Sequence, residues 1–278
     1  MKAGSAAAAD VFGRTDQLDA ATLDALVARL EARGRHAAFA DMLHEYLDAM
    51  QIAPAAAVLD LGCGTGLVAR AIAGHSGFVG SVAGIDLSPH LVGAATRLAV
   101  DEGVARRIAF QTGDVHALPF ADASFDAVVA HTLLSHVRDP RAVLQQAARV
   151  LKPGGMLAVF DGDYASLTFG QADADKAKAD DEALIAAVAA HPRVMGQMPR
   201  LLRDAGFELQ ASFSHVLAEV GKADFWLSGI DTFRRLMPQA GTMTARRADA
   251  WAAAQRAASD GGVFFGRCNY HAFLGRRA

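Results

Sequence analysis

The sequence predicts an α/β fold, a doubly wound and mostly parallel sheet carrying a helical lid. Three observations lead there. Five short apolar runs alternate with helical segments between residues 57 and 160, the pattern of a parallel sheet with helices on both faces. The first run passes directly into a turn with three alternating glycines, Gly62, Gly64 and Gly66. Asp60, Asp86, Asp114 and His131 fall at the ends of these runs, and ligands of such sheets sit at the carboxyl ends of the strands.

Taken in order, residues 16–50 show helical spacing, with Leu18, Leu23, Leu26 and Leu30, then Phe39, Met42, Leu43, Tyr46 and Leu47. Thr22 or Asp16 suits the first cap, and Gly34 the break between two helices. The first strand, Ala57-Val58-Leu59-Asp60-Leu61, leads through the glycine turn into a helix over 67–73. Such a turn lets a ligand approach the backbone, and the helix behind it aims free N–H groups at the ligand. Asp60 adds a negative charge, which disfavours phosphate and favours a cation. The second strand, 81–86, ends in Asp86, placed to accept both hydroxyls of a ribose. Asp86-Leu87-Ser88-Pro89 also reads as a helix start, with Ser88 as N-cap and Pro89 at the first helical position. The third strand, 108–111, leads to Gly113-Asp114-Val115, and the fourth, 125–130, to His131-Thr132-Leu133-Leu134. The fifth, 156–160, follows the turn Lys152-Pro153-Gly154-Gly155.

With these motifs in place, the chain resembles the class I S-adenosylmethionine-dependent methyltransferases, whose core is Rossmann-like. VLDLGCGTG is similar to the family's first motif, GID to its ribose-binding acid, GDVHALPF to its adenine-side motif and LKPGGMLAVF to its strand-five motif. The resemblance covers residues 55–213 and is strongest to the small-molecule branch of the ubiquinone and menaquinone methyltransferases. It implies S-adenosyl-L-methionine as cofactor and an antiparallel last strand. It also implies that Gly62, Gly64 and Gly66 line the methionine portion, beside Asp60. Asp86 would hold the ribose hydroxyls and Leu87 would pack on the adenine. Asp114 would accept from the adenine amino group, with the Val115 N–H beside it, and His131 would contact the cofactor.

Composition narrows the partners. The 278 residues carry a net charge of −3, and the arginine pairs are scattered. No basic stripe with interleaved aromatics suggests nucleic acid. Two cysteines, Cys63 and Cys268, make neither a disulfide framework nor a zinc cluster, and no metal site is expected. The alanine run before Asp10 lacks the apolar core of a signal peptide, and no apolar stretch is long enough for a membrane. The expectation is a cytoplasmic protein with a small-molecule substrate and no membrane insertion.

The remaining chain is expected to hold that substrate. A helix is predicted over 173–190 and a shorter one over 199–205; strand six follows over 207–213 and the last strand over 263–274. This organises the chain as an N-terminal helical lid (1–50), a cofactor-binding core (51–215), a helical lid insertion (216–262) and a last core strand (263–278). Trp226, Phe233 and Met237 in the insertion suit an apolar pocket, with Tyr46, Asp163 and Tyr164 facing the same cavity. His136, at the start of the helix after strand four, is the expected base or orienting group, and His131 the second candidate. The leading function is methyl transfer to oxygen, nitrogen or carbon of a small, largely apolar metabolite. A cofactor-retaining cyclisation or rearrangement, and a non-enzymatic cofactor-binding role, are the alternatives.

Overall fold

A computed structural model describes residues 10–278; the alanine run lies outside them. Seven strands form one sheet in the order β3-β2-β1-β4-β5-β7-β6. The strands are β1 (Ala57–Leu61), β2 (Ser81–Asp86), β3 (Ile108–Thr112), β4 (Phe125–His131), β5 (Leu151–Phe169), β6 (Phe207–Gly221) and β7 (Phe264–Arg277). The first five pair in parallel, and β7 runs antiparallel to both of its neighbours.

Alternation along the strands divides the interior in two. Val58, Val82, Val129 and Phe160 face α2 (Ala37–Met50) and α3 (Leu67–Gly74). Leu59, Leu61, Val128 and Val159 face α5 (Pro140–Val150) and α7 (Val194–Asp204). Both sets are almost wholly buried, as strands covered on two faces require.

Several elements run longer than their sequence pattern. β5 continues past Phe160 to Phe169, and β6 past Phe213 to Gly221. The lid insertion therefore begins near residue 222. It consists of α8 (Phe225–Gln239) and α9 (Ala245–Asp260), which pack on each other, while α8 also meets α1 (Ala20–Arg35) and α6 (Ala174–Val188). Asp19, rather than Thr22 or Asp16, caps α1 by accepting from the Thr22 N–H at 2.9 Å. The break between α1 and α2 falls at His36, and Gly34 lies inside α1, where a Cβ would come within 2.6 Å of Leu67, so the packing leaves room only for glycine. The two N-terminal helices differ in kind. α2 buries Phe39, Met42, Leu43 and Tyr46 in the core, whereas α1 lies over the glycine turn. Ser88 caps α4 (Pro89–Asp101), with Pro89 in its first turn. Among the described residues no helix is long and apolar enough to cross a membrane.

Candidate active site

The carboxyl ends of β1, β2 and β4 line a cavity of about 120 Å³. Its strand-end wall includes Asp60, Gly62, Gly64, Asp86 and His131. The three turn glycines have φ of 62°, 53° and 77°, a region that L-residues avoid. A Cβ on Gly62 would strike Leu133 at 2.5 Å, and one on Gly66 would strike Phe110 at 2.5 Å. Only the Gly64 position opens toward the cavity, with Leu30 of α1 next at 3.5 Å.

Asp86 is held by two backbone donors, Gly64 N–H at 2.8 Å and Ser88 N–H at 2.9 Å. A carboxylate has about four acceptor sites, so two remain for a diol. Burial pushes its pKa up, against the pull of those N–H donors. Asp60 is buried more completely and accepts from the Ala69 N–H at 3.2 Å. Burial carries its pKa to about 8, with Asp86 adding repulsion against the Ala69 hydrogen bond. A cation bound nearby would draw Asp60 back to its ionised form.

The other expected cofactor contacts lie outside the cavity lining. Leu87 is 37% exposed beyond the β2 end. Asp114 accepts from the His116 N–H at 2.9 Å, and its Oδ1 lies 2.6 Å from His116 Nδ1. Those hydrogen bonds and the charges of His116 and Arg138 lower its pKa despite some burial. Val115 is buried beside it.

The two histidines have different surroundings. His131 Nδ1 is hydrogen-bonded to the Tyr46 hydroxyl at 2.9 Å, and its ring stacks on Phe160 at 4.7 Å. Burial, reinforced by the charge of Arg33, drives its pKa well down, so the ring is neutral at physiological pH. Its Nε2 is buried without a partner. The next residue, Thr132, has φ of 51°, a strained conformation of the kind found where strands present functional groups. His136 sits in a turn ahead of α5 rather than in the helix. Its Nδ1 meets the buried Asp10 carboxylate at 3.1 Å. Burial works against its charge, but Asp10, and then Asp161, outweigh it and raise the pKa.

Tyr164, Trp226 and Phe233 line the cavity. Tyr46 and Met237 stand behind that wall, wholly buried; Asp163 is also outside the lining, while its neighbour Asp161 accepts from the Ser135 N–H and hydroxyl. Four lining or supporting groups had no pattern to reveal them: Asp10, Arg29, Arg33 and Tyr270. Among the described residues no group of three potential metal ligands converges.

The donor set fits S-adenosylmethionine: a diol acceptor at Asp86, an acid for a cation at Asp60 and an open backbone at Gly64. Leu30 of α1 stands over the open Gly64 position.

Residues 59–159 match the family model described as methyltransferase domain. The chain is 35% identical over 156 residues to 27-O-demethylrifamycin SV methyltransferase of Amycolatopsis mediterranei (strain S699), covering 56% of this chain and 55% of that protein. It is 37% identical over 120 residues to an O-methyltransferase of Pyrenophora dematioidea, covering 43% of this chain and 44% of that protein. The chain thus spans about half the length of these curated relatives. Among solved structures, the YcgJ protein of Bacillus subtilis superposes with a TM-score of 0.59 at 19% identity, covering 84% of this chain and 97% of that one. The [4+2]-cyclase SpnF superposes with a TM-score of 0.54 at 22% identity, covering 84% and 80%. Both likenesses concern the fold alone. Residues 59–159 of this chain thus resemble a methyltransferase domain, on a fold shared with the solved structures above.

Proposed function

We propose that this chain transfers the methyl group of S-adenosylmethionine to a small, largely apolar metabolite, with His136 removing the acceptor's proton. The observation that carries the reading is the shared cavity: Asp60, Gly64 and Asp86 line it together with His136 and the aromatic lid. When bound, S-adenosylmethionine supplies an electrophilic methyl group on its sulfonium. Asp86 would hold the ribose and Asp60 would balance positive charge. Gly62, Gly64 and Gly66 would shape the methionine side, with His131 beside it. Leu87, Asp114 and Val115 would frame the adenine.

The protein's further work is alignment and exclusion of water. Tyr164, Trp226 and Phe233 would pack against the acceptor, with Tyr46, Asp163 and Met237 supporting that wall from behind. Asp10 anchors His136 Nδ1 and leaves Nε2 for an acceptor O–H, N–H or activated C–H. As the acceptor attacks, its proton passes to Nε2, and the imidazolium so formed is stabilised by Asp10. This is the orienting logic of a carboxylate behind a histidine base. His131 has its Nδ1 engaged by Tyr46 and is the weaker candidate. The relatives include O-methyltransferases and a sterol C-methyltransferase, so the acceptor atom would be oxygen, nitrogen or carbon. Incubation with methyl-labelled cofactor and a panel of phenols, quinones, amines and carbon acids tests the proposal. Acceptor-dependent release of S-adenosylhomocysteine is expected. Conversion of an acceptor without that release would replace transfer by cyclisation or rearrangement, and cofactor binding without any conversion would leave a binding protein.

A further inference from the structure

Arg29 and Arg33 are one turn apart on α1, and both line the cavity. Arg29 is only 9% exposed, yet its guanidinium makes no hydrogen bond or ion pair among the described residues. It lies over the Phe233 ring at 4.9 Å. Gly229 makes room for it, since a Cβ there would come within 3.1 Å of its Nη1. Arg33 lies over Phe39 at 4.8 Å and donates to the Thr132 hydroxyl at 3.0 Å, while its Nε is buried without a partner. Burial, with repulsion from Arg33 next, lowers the Arg29 pKa to about 10, which leaves Arg29 charged at physiological pH. Residues 1–9 contain no acid to answer them.

Buried arginines are ordinarily paired. On the same helix Glu31 pairs with Arg70, so α1 does supply partners elsewhere. The acids that share the cavity, Asp60 and Asp86, are engaged by backbone N–H groups at the strand ends. S-adenosylmethionine brings no net relief: its ammonium and carboxylate cancel and its sulfonium adds positive charge. Arg29 lies against Phe233 and Gly229 of α8, with Tyr164 and Tyr270 also lining the cavity, the lid side rather than the glycine turn.

Building on the methyl-transfer reading above, we propose that Arg29 and Arg33 form a carboxylate-binding pair, and that the acceptor is an apolar or aromatic molecule bearing one carboxylate. Guanidinium forks suit the planar carboxylate, and the aromatic wall suits the rest of the molecule. The carboxylate anchors the acceptor on α1 and so fastens the lid over the cofactor. The alternative source of the same chemistry is the cofactor's own methionine carboxylate.

Equilibrium binding separates these sources without relying on turnover. The full chain saturated with S-adenosylhomocysteine is titrated calorimetrically with benzoate, salicylate and 3-phenylpropanoate, and with the primary amide of each. At least one acid is expected to bind tenfold or more tightly than its amide. Arg29→Met, which keeps the apolar stem, should abolish that preference, and Arg29→Lys should retain part of it. Arg33→Met should weaken it. Equal binding of acids and amides, or no acid binding at millimolar concentration, overturns the proposal. The cofactor arm compares S-adenosylhomocysteine with methylthioadenosine, which lacks the carboxylate. Loss of affinity for the first alone in Arg29→Met would assign the pair to the cofactor and overturn the acceptor assignment. Thermal unfolding of the ligand-free variant gives the last check. Removing an unpaired buried cation should leave the melting temperature of Arg29→Met at or above the parent's, whereas a lowered value with unchanged acid binding would make Arg29 structural and overturn the pair.

Discussion

The two walls of the cavity are built in different ways. The strand-end wall comes from residues 60–86 and His131, and its two carboxylates are already answered by backbone N–H donors: Gly64 and Ser88 hold Asp86, and Ala69 holds Asp60. The lid wall draws on Arg29, His136, Tyr164, Phe233 and Tyr270, and among the described residues Arg29 has no polar partner. The carboxylates of the first wall are held in place by backbone hydrogen bonds, whereas the second carries an unanswered charge on α1. On the proposed reading, binding of the cofactor and choice of acceptor would be separable properties of this chain.

The largest effect expected on the strand-end wall comes from Gly64→Val, which puts a branched side chain at the open position and should abolish cofactor binding. The φ of 53° also strains it, by about 1–3 kcal/mol. Gly77→Val is the control, with φ of 84° and nothing within 4 Å. It should lose similar stability and keep calorimetric affinity. Equal loss of affinity in both variants would erase the distinction.

Next comes Asp86→Ala. Hydrogen bonds to a charged group contribute about 1.5–3 kcal/mol, so S-adenosylmethionine should bind at least tenfold more weakly while circular dichroism stays parental. An unchanged dissociation constant would remove Asp86 from the ribose site.

On the lid wall, Asp10→Asn removes the charge that raises the His136 pKa. In the parent, imidazolium contributes stability below the unfolded histidine value of 6.5 and loses it as pH rises through the higher folded value. A base must be neutral, so the rate rises over that same upper limb. Asp10→Asn should move the limb to lower pH, seen in a pH–rate profile; an unmoved limb would uncouple the two residues.

The smallest effect is on stability. Asp60 stays protonated in the folded state up to about pH 8 but ionises from 3.8 upward when unfolded. Stability therefore falls as pH rises across that window. Asp60→Asn should flatten the slope, gaining about 1–2 kcal/mol between pH 6 and pH 8 in denaturant titrations. A slope equal to the parent's would place the titration elsewhere.

The same contrast explains what could be read from the sequence. The glycine turn and Asp86 lie within one βαβ unit, where spacing fixes position, so the strand-end wall and the parallel sheet were legible. The antiparallel β7 followed from the family resemblance. Asp10 and His136 meet across 126 residues, and no local pattern marks such a pair. Arg29 and Arg33 have the spacing of solvated helix charges, and only tertiary packing buries them. The extra length of β6 was hidden because it is an edge strand: from Ser212 onward its residues are half-buried or exposed except Leu217, without the apolar run that marked the inner strands.

The claim that the lid wall performs chemistry while the strand-end wall holds the cofactor is tested most directly by the single-turnover methyl-transfer rate of His136→Gln at saturating cofactor, followed as a function of pH. Glutamine keeps a polar group but accepts no proton. The account predicts a rate lower by about 10²- to 10⁴-fold, loss of the pH limb that rises above 6.5, and cofactor affinity equal to the parent's. A parental rate with the limb intact would contradict it and take His136 out of the reaction.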